Sequence, residues 1–317
     1  MKNIYVVGSI NMDIVNKVHH FPHPAETVEG QHTAYYPGGK GANQAVAAAM
    51  SGSNVQMVGA IGNDAFGTPL FNSLLDKGVQ VGHVKSKESG SGLALITVNE
   101  EGENCIMLSR GANEQLSGTD LPNEMWDDAA LILLQNEISW DINLQIIHKA
   151  KECGIPVWMN PAPALLLPND IYASIHTLIL NETEAGLLTD RLIVDENDAL
   201  LAITQLINKG IAHVVLTLGS KGLIIADETK QITYFDAYLV NSVDTTAAGD
   251  TFIGTFASSW LSGQTLCESM QFASAAAAIA VTKPGAQDRI PSKSDIEAFI
   301  YSNPTPYSNL MTTDPHF

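Results

Sequence analysis

The chain has 317 residues, 45% of them hydrophobic and 16% charged, enough apolar material for a sizeable core and too much for a disordered chain. Sixteen Lys and Arg against 34 Asp and Glu leave a formal net charge of −18. An acidic surface repels phosphate backbones and anionic lipid heads, which argues against a nucleic-acid or membrane-surface partner but not against a small anion in a cleft. At ~150 residues per domain the length predicts about two, although α/β folds often exceed that as one unit. Cys105, Cys153 and Cys267 are far apart and form no C-x-x-C pair, a pattern that fits a reducing cytoplasm without a disulfide framework or structural zinc. No run reaches the ~18 apolar residues that span a bilayer.

In chain order, the apolar run after the N-terminus leads straight into Asn11 and Asp13 and predicts a first strand over 3–9, not a signal segment. Further strands are predicted over 55–60, 130–135, 156–159, 177–180, 213–218 and 222–226, several continuously apolar, as strands covered on both faces are. Helices are predicted between and after them over 42–51, 69–77, 143–153, 197–208, 251–262 and 267–282. This alternation predicts an α/β fold, a Rossmann-like three-layer sandwich around a mainly parallel sheet. Residues 16–36 lack helical period, and 92–98 with 104–109 read as a hairpin around a turn at 99–103. These segments predict a small β-sheet lid. The core then comprises 1–13, 37–91 and 112–302, the lid 14–36 and 92–111, and a polar tail 303–317. His19, His20, His23 and His32 fall across prolines and read as a turn at the lid, not as a metal site.

Two segments carry chemistry. Gly38-Gly39-Lys40-Gly41 opens a helix, where glycines admit close approach and free N–H groups attract anions. It is not a P-loop, since Gly41 stands where Ser or Thr is required. The second is Asp244-Thr245-Thr246-Ala247-Ala248-Gly249-Asp250, small residues opening a helix whose first-turn N–H groups form an anion hole. Asp250 lies where it could accept a hydroxyl proton, or could simply stabilise the helix end.

Together these motifs resemble those of the ribokinase (PfkB) family of sugar and nucleoside kinases. The resemblance runs through Gly39-Lys40-Gly41-Ala42-Asn43-Gln44-Ala45, Gly52, Gly62, Asn160-Pro161-Ala162-Pro163, Asn181-Glu182-Thr183-Glu184 and Thr217-Leu218-Gly219-Ser220. It continues through 244–250 and the Ala-rich stretch 275–282, and so covers the chain from Ile4 to about Phe299. It implies ATP-dependent phosphorylation of D-ribose at O5, with Asp250 as base and the N–H groups of Ala247, Ala248, Gly249 and Asp250 as the anion hole. Another small sugar, such as deoxyribose, is the alternative within the class; a catalytically silent sugar sensor is the alternative outside it.

The same resemblance implies sugar contacts at Asn11, Asp13, Gly39, Lys40, Asn43 and Glu137, with Asn11 and Asp13 at the end of strand one. It implies nucleotide contacts at Asn181, Thr217, Gly219, Ser220, Gly222, Gly249 and Ser274, and an association of Glu184 with Mg²⁺ through water. Asp244, Thr246, Ala280, Lys283 and Gly285 match positions around a monovalent cation, usually potassium, several of them through main-chain carbonyls. Arg289 stands where the family often has Ser; a guanidinium cannot ligate a cation, so either its carbonyl serves or that ligand is lost. Arg110, at the lid edge, either touches the substrate or points to solvent, and Thr255 reads as a packing change within its helix. The implied assembly is a homodimer paired through the lid, and the implied location is cytoplasmic.

Overall fold

The computed structural model describes residues 3–283 and 285–303, so most of the expected tail, 304–317, lies outside the described residues. The chain runs through β1 (Asn3–Val7), β2 (Asn11–Lys17), β3 (His32–Gly38), α1 (Lys40–Met50), β4 (Val55–Gly62), α2 (Gly67–Asp76), β5 (Gln80–Lys87), β6 (Gly92–Val98) and β7 (Asn104–Ser109). It continues with α3 (Met125–Asp128), β8 (Ala129–Gln135), α4 (Trp140–Cys153), β9 (Val157–Asn160), β10 (Thr177–Asn181), α5 (Glu182–Thr189), α6 (Glu196–Ile207) and β11 (His213–Thr217). The last elements are β12 (Leu223–Asp227), β13 (Ile232–Phe235), α7 (Ala248–Leu261), α8 (Leu266–Ala280) and α9 (Lys293–Ser302).

Nine strands form the central sheet in the order β13-β12-β11-β10-β9-β8-β1-β4-β5, and β3-β2-β6-β7 form a separate four-stranded sheet. From β5 to β11 the central sheet is parallel; β12 and β13 add antiparallel at one edge. Alternation along each strand divides the core into two layers. Tyr5 and Val7, Ile132 and Leu134, and Leu178 and Leu180 face α4, α5 and α6. Ile4 and Val6, Leu131 and Leu133, and Ile179 face α1, α2, α7 and α8. Trp158 belongs to the second layer, its ring 4.4 Å from Phe256 and 5.4 Å from Trp260. Among the described residues no helix is long and apolar enough to cross a membrane.

The three-layer α/β architecture and the hairpin strands β6 and β7 agree with the expectation. One placement differs. Asn11 and Asp13 do not end β1, which stops at Val7; they begin β2, the second strand of the small sheet, ahead of the expected boundary at residue 14. The cause lies in pairing: Asn11 registers with Gly38 of β3 and Gly92 of β6, so this stretch already belongs to the other sheet.

Helices α1 and α7 cross where Gly254 has no side chain. A Cβ there would lie 2.2 Å from the Gln44 carbonyl oxygen and 2.7 Å from the Ala47 methyl. This close crossing lays the start of α1 beside the start of α7, and the candidate site is built at that junction. Thr255, next to it, is buried and accepts a hydrogen bond from Ser51 at 3.1 Å, so it joins the same two helices.

Candidate active site

At the start of α1 the chain turns through Gly39, with φ +92°. A Cβ at this position would meet the Asn11 amide nitrogen at 2.8 Å and the Ser9 carbonyl at 2.9 Å. Only glycine combines that dihedral with that proximity. The turn packs α1 on the β1–β2 connection, where Ser9 accepts from the Ala42 N–H at 2.9 Å. From the neighbouring strand end, Glu137 points one carboxylate oxygen into the same place. That oxygen accepts from the Ser9 hydroxyl, from the Lys40 N–H at 3.1 Å and from Asn11 Nδ2 at 3.3 Å. Asn113 in turn orients Asn11, donating to its Oδ1 at 2.7 Å while accepting from the Ile10 N–H at 3.0 Å.

Asp250 sits in the first turn of α7 and is 6% exposed. Asn43 Nδ2 donates to one of its oxygens at 3.1 Å and Gln44 Nε2 to the other at 3.0 Å. Gln135 fixes Gln44 from behind, donating to its Oε1 at 2.7 Å. Asn43 Oδ1 is buried with no hydrogen-bond partner among the described residues. An acceptor in that state is costly unless a ligand or water supplies a donor.

The residue before α7, Ala247, holds a left-handed conformation at φ 55°. This turns the main chain so that the helix opens onto a pocket lined by Lys40, Asn160, Ala162, Asn181, Glu184, Thr217, Thr245, Ala247, Gly249 and Asp250, among others. The first-turn N–H groups of a helix lack intrahelical acceptors. One of them, at Ala248, reaches back to the Thr245 carbonyl at 3.2 Å. Across the pocket, Asn181 caps α5. Its side chain accepts from the Glu184 N–H at 2.9 Å, and the Glu184 carboxylate accepts from the Asn181 N–H at 2.9 Å and from Asn181 Nδ2 at 3.1 Å.

Four carboxylates and one lysine therefore share a largely buried space. Burial, then the neighbouring charges of Glu137 and Asp250, push Asp13 up to about 7, with Lys40 acting in the other direction. Burial alone would lower the Lys40 ammonium, but Asp250, Glu137, Glu184 and Asp13 outweigh it and hold it above the ordinary lysine value. Glu184 is raised by burial, although the Asn181 N–H and Lys40 oppose the shift.

Behind the pocket, the segment leading to Ala247 is held by Arg289, whose side chain is 1% exposed. Its Nη1 donates to the carbonyl oxygens of Asp244 at 2.7 Å and Lys283 at 2.8 Å and lies 3.3 Å from Asp244 Oδ2. Asp244 accepts from the Thr246 N–H at 2.9 Å and the Gly285 N–H at 3.3 Å. Burial would raise Asp244, but these N–H groups and Arg289 hold it below the usual carboxylate value.

The fold gathers Asn11, Lys40 and Glu137 in one hydrogen-bonded group and Asn43 and Asp250 in another, links them through the first turn of α1, where the Asn43 N–H donates to the Gly39 carbonyl at 2.8 Å, and adjoins Asn181, Glu184, Thr217 and Gly249 to them. Gly219, Ser220 and Gly222, in the β11–β12 connection, and Ser274, on α8, do not line that pocket. Arg110 is half-buried: it pairs with Glu114 at 2.8 Å and donates to the Asn136 carbonyl at 3.3 Å, one residue from Glu137. Sequence reasoning assigned no role to Ser9, Gln44 or Asn113. Gln44 stands within the first motif, directly after Asn43, but only the fold shows which partners Gln44 and Asn113 orient.

Known proteins give the arrangement a context. The profile described as pfkB family carbohydrate kinase matches residues 1–293. The chain is 38% identical over 305 residues to the ribokinase of Haemophilus influenzae, covering 94% of this chain and 98% of that protein. It is 33% identical over 305 residues to the deoxyribokinase of Salmonella typhi, covering 95% of this chain and 99% of that one. Among solved structures, the Arabidopsis thaliana ribokinase complexed with ribose and ATP superposes with a TM-score of 0.87 at 32% identity, covering 94% of this chain and 98% of that one.

Proposed function

The chain belongs to the pfkB family of carbohydrate kinases and is a sugar kinase, and from that premise we propose that it transfers the γ-phosphoryl group of ATP to O5 of D-ribose. The observation that carries this reading is the first turn of α1, which lies between two hydrogen-bonded groups: the Lys40 N–H donates to Glu137, which also accepts from Asn11, and Asn43 donates to Asp250 of α7. Asp13, Glu137 and Asn43 supply acceptors for sugar hydroxyls, and the partnerless Asn43 Oδ1 is one acceptor already desolvated.

In the proposed step the 5-hydroxyl oxygen attacks the γ-phosphorus in line, its proton passes to the Asp250 carboxylate, and the bond to the leaving ADP breaks. Asn43 and Gln44 hold Asp250 through both oxygens, which fixes the base without neutralising it. First-turn N–H groups of α7 and the Lys40 ammonium, kept protonated by the surrounding carboxylates, meet the charge that develops on the transferring group. The Ala248 N–H must leave the Thr245 carbonyl to take part.

The donor set also suits Mg²⁺ held through water. Both Glu184 oxygens already accept from Asn181, so this carboxylate fits water-bridged better than direct ligation. When bound, the ion would supply neutralisation of phosphate charge, and Glu184 is the residue of this chain that would hold it through water.

Two further parts of the reading concern the whole molecule. The chain forms a homodimer through the small sheet, whose strand β7 exposes Ile106, Met107 and Leu108, an apolar edge that pairing would cover. It works in the cytoplasm, where Cys105, Cys153 and Cys267, all unpaired, stay reduced.

ADP release measured with Mg²⁺ and ribose, deoxyribose, fructose or adenosine tests the proposal. Ribose should give the highest kcat/KM. A higher value for deoxyribose would move the assignment to the reaction named for the Salmonella typhi relative. No turnover with any of the four would end the kinase assignment. Light scattering at micromolar protein should give a dimer, and a monomer would remove the pairing through β7.

A further inference from the structure

We propose that the Arg289 guanidinium is a built-in substitute for the monovalent cation expected beside the anion-hole segment, so that the enzyme works without potassium. The inference rests on the kinase reading for its catalytic meaning, but its binding consequence is independent of it.

The residues around Asp244 do not fit a free cation. A bound potassium ion needs oxygen lone pairs, and the positions expected around it include Asp244 and Lys283. In this chain the main-chain carbonyls of both accept from Arg289 Nη1, at 2.7 Å and 2.8 Å, and the Asp244 carboxylate lies 3.3 Å from the same nitrogen. Three oxygens thus converge on one nitrogen that carries part of a permanent positive charge. A second monovalent ion placed about 4 Å from that charge would lose about a thousandfold in affinity at an effective dielectric of about 20.

The oxygens around the guanidinium gather on one of its nitrogens. Its Nε and Nη2 are buried with no partner among the described residues, so the pocket gathers its oxygens on Nη1 and leaves the other donors unserved.

The charge sits where a cation would act on catalysis. Arg289 fixes Asp244, Asp244 fixes the Thr246 N–H at 2.9 Å, and the next residue is the left-handed Ala247 that opens α7. Arg289 is therefore a positioning residue for the anion hole, not a catalytic one. Because it is tethered, the charge is present at any salt composition and needs no binding step.

Thermal melting and ribose turnover of the full chain, with KCl replaced by equal tetramethylammonium chloride, test this. Wild-type melting should be indifferent to the exchange, and turnover should change by less than about fivefold, the low end of an effector coupling. Arg289→Ser clears Nη1 and offers a hydroxyl, so potassium should raise its melting temperature and increase its turnover by more than about fivefold. A wild-type enzyme stabilised or strongly activated by potassium overturns the proposal, and that measurement stands even if the variant does not fold. A folded Arg289→Ser protein that matches the wild type in potassium-free salt also overturns it. If no sugar is phosphorylated in any salt, the kinase assignment fails, while the melting curves still decide whether the cation site is filled.

Discussion

The two ends of the cleft are built from different materials. At the end proposed for the sugar, side chains from separate elements converge: Asn11 from β2, Asn43 and Gln44 from α1, Glu137 from beyond β8, Asp250 from α7. At the end proposed for the nucleotide, the parts are main chain and caps: the start of α7, the Asn181–Glu184 capping box, the turn after β11. A side-chain site reports the identity of each residue, because a missing carboxylate leaves its partners buried and unpaired. A main-chain site reports geometry, and most of its side chains can change without moving an N–H group.

That contrast sets the order of expected effects. Asp250→Asn should lower kcat by about 10²–10⁴, the usual contribution of a positioned general base, while ribose affinity measured by calorimetry survives. Near-normal turnover would strip Asp250 of the role.

Asp13→Asn should raise the KM for ribose by about 10- to 100-fold, since hydrogen bonds to a charged group are worth about 1.5–3 kcal/mol each. It should also stabilise the apoprotein at alkaline pH. The wild-type carboxyl sits at about 7 in the fold against 3.8 ordinarily, so its favourable contribution is complete below 3.8 and is lost as pH rises through 7. The melting-temperature advantage of the variant should therefore be largest at pH 8 and shrink towards pH 4. An advantage that does not vary with pH would refute the raised value.

Gly254→Ala should cost about 1–3 kcal/mol by overpacking the α1–α7 crossing, with kcat reduced about tenfold as Gln44 and Asn43 are pushed from Asp250. Chemical denaturation and steady-state kinetics on the same sample separate the two effects. The smallest change is expected at the nucleotide end. Thr217→Ala removes a long 3.3 Å bond to the Leu180 carbonyl and should alter the KM for ATP by less than about threefold, within the ~0.5 kcal/mol typical of a substitution that breaks no strong contact. A loss as large as that at Asp13 would erase the distinction between the two ends.

What the sequence made legible follows the same division. Strands β8, β10 and β11 are continuous apolar runs, and their positions are plain because burial on both faces leaves no other composition. Strand β5 is not plain. It lies at the sheet edge, carries Lys85 and Lys87, and buries only Val81 fully among its apolar residues. Helix α9 is not plain either, although Ser292 and Asp295 form a capping box at its start. The motif residues Lys40, Asn43, Asp250 and Glu184 were visible one by one, yet the sheet that owns Asn11 and Asp13 was not. A strand of alternating polar residues takes its sheet from pairing partners that lie far along the chain. Arg289 shows the limit most clearly: its identity was evident, but only the fold shows Nη1 lying against the Asp244 and Lys283 carbonyls.

The attachment of the small sheet has a mechanical consequence. Its register places Gly38, Asn11 and Gly92 side by side, with Ser109 opposite Leu93, so the four passages between the sheets lie along one row. Beyond that row the sheet also rests on the core through Tyr35, whose ring lies 6.0 Å from that of Phe66, so covalent attachment follows one line and packing braces the sheet to one side of it. Asn11 stands on that line. Asp13 lies two residues and about 7 Å out along the strand. The turn at 99–103 lies several times farther out, so any tilt of the sheet about that line would be smallest at Asn11, larger at Asp13 and largest at the turn.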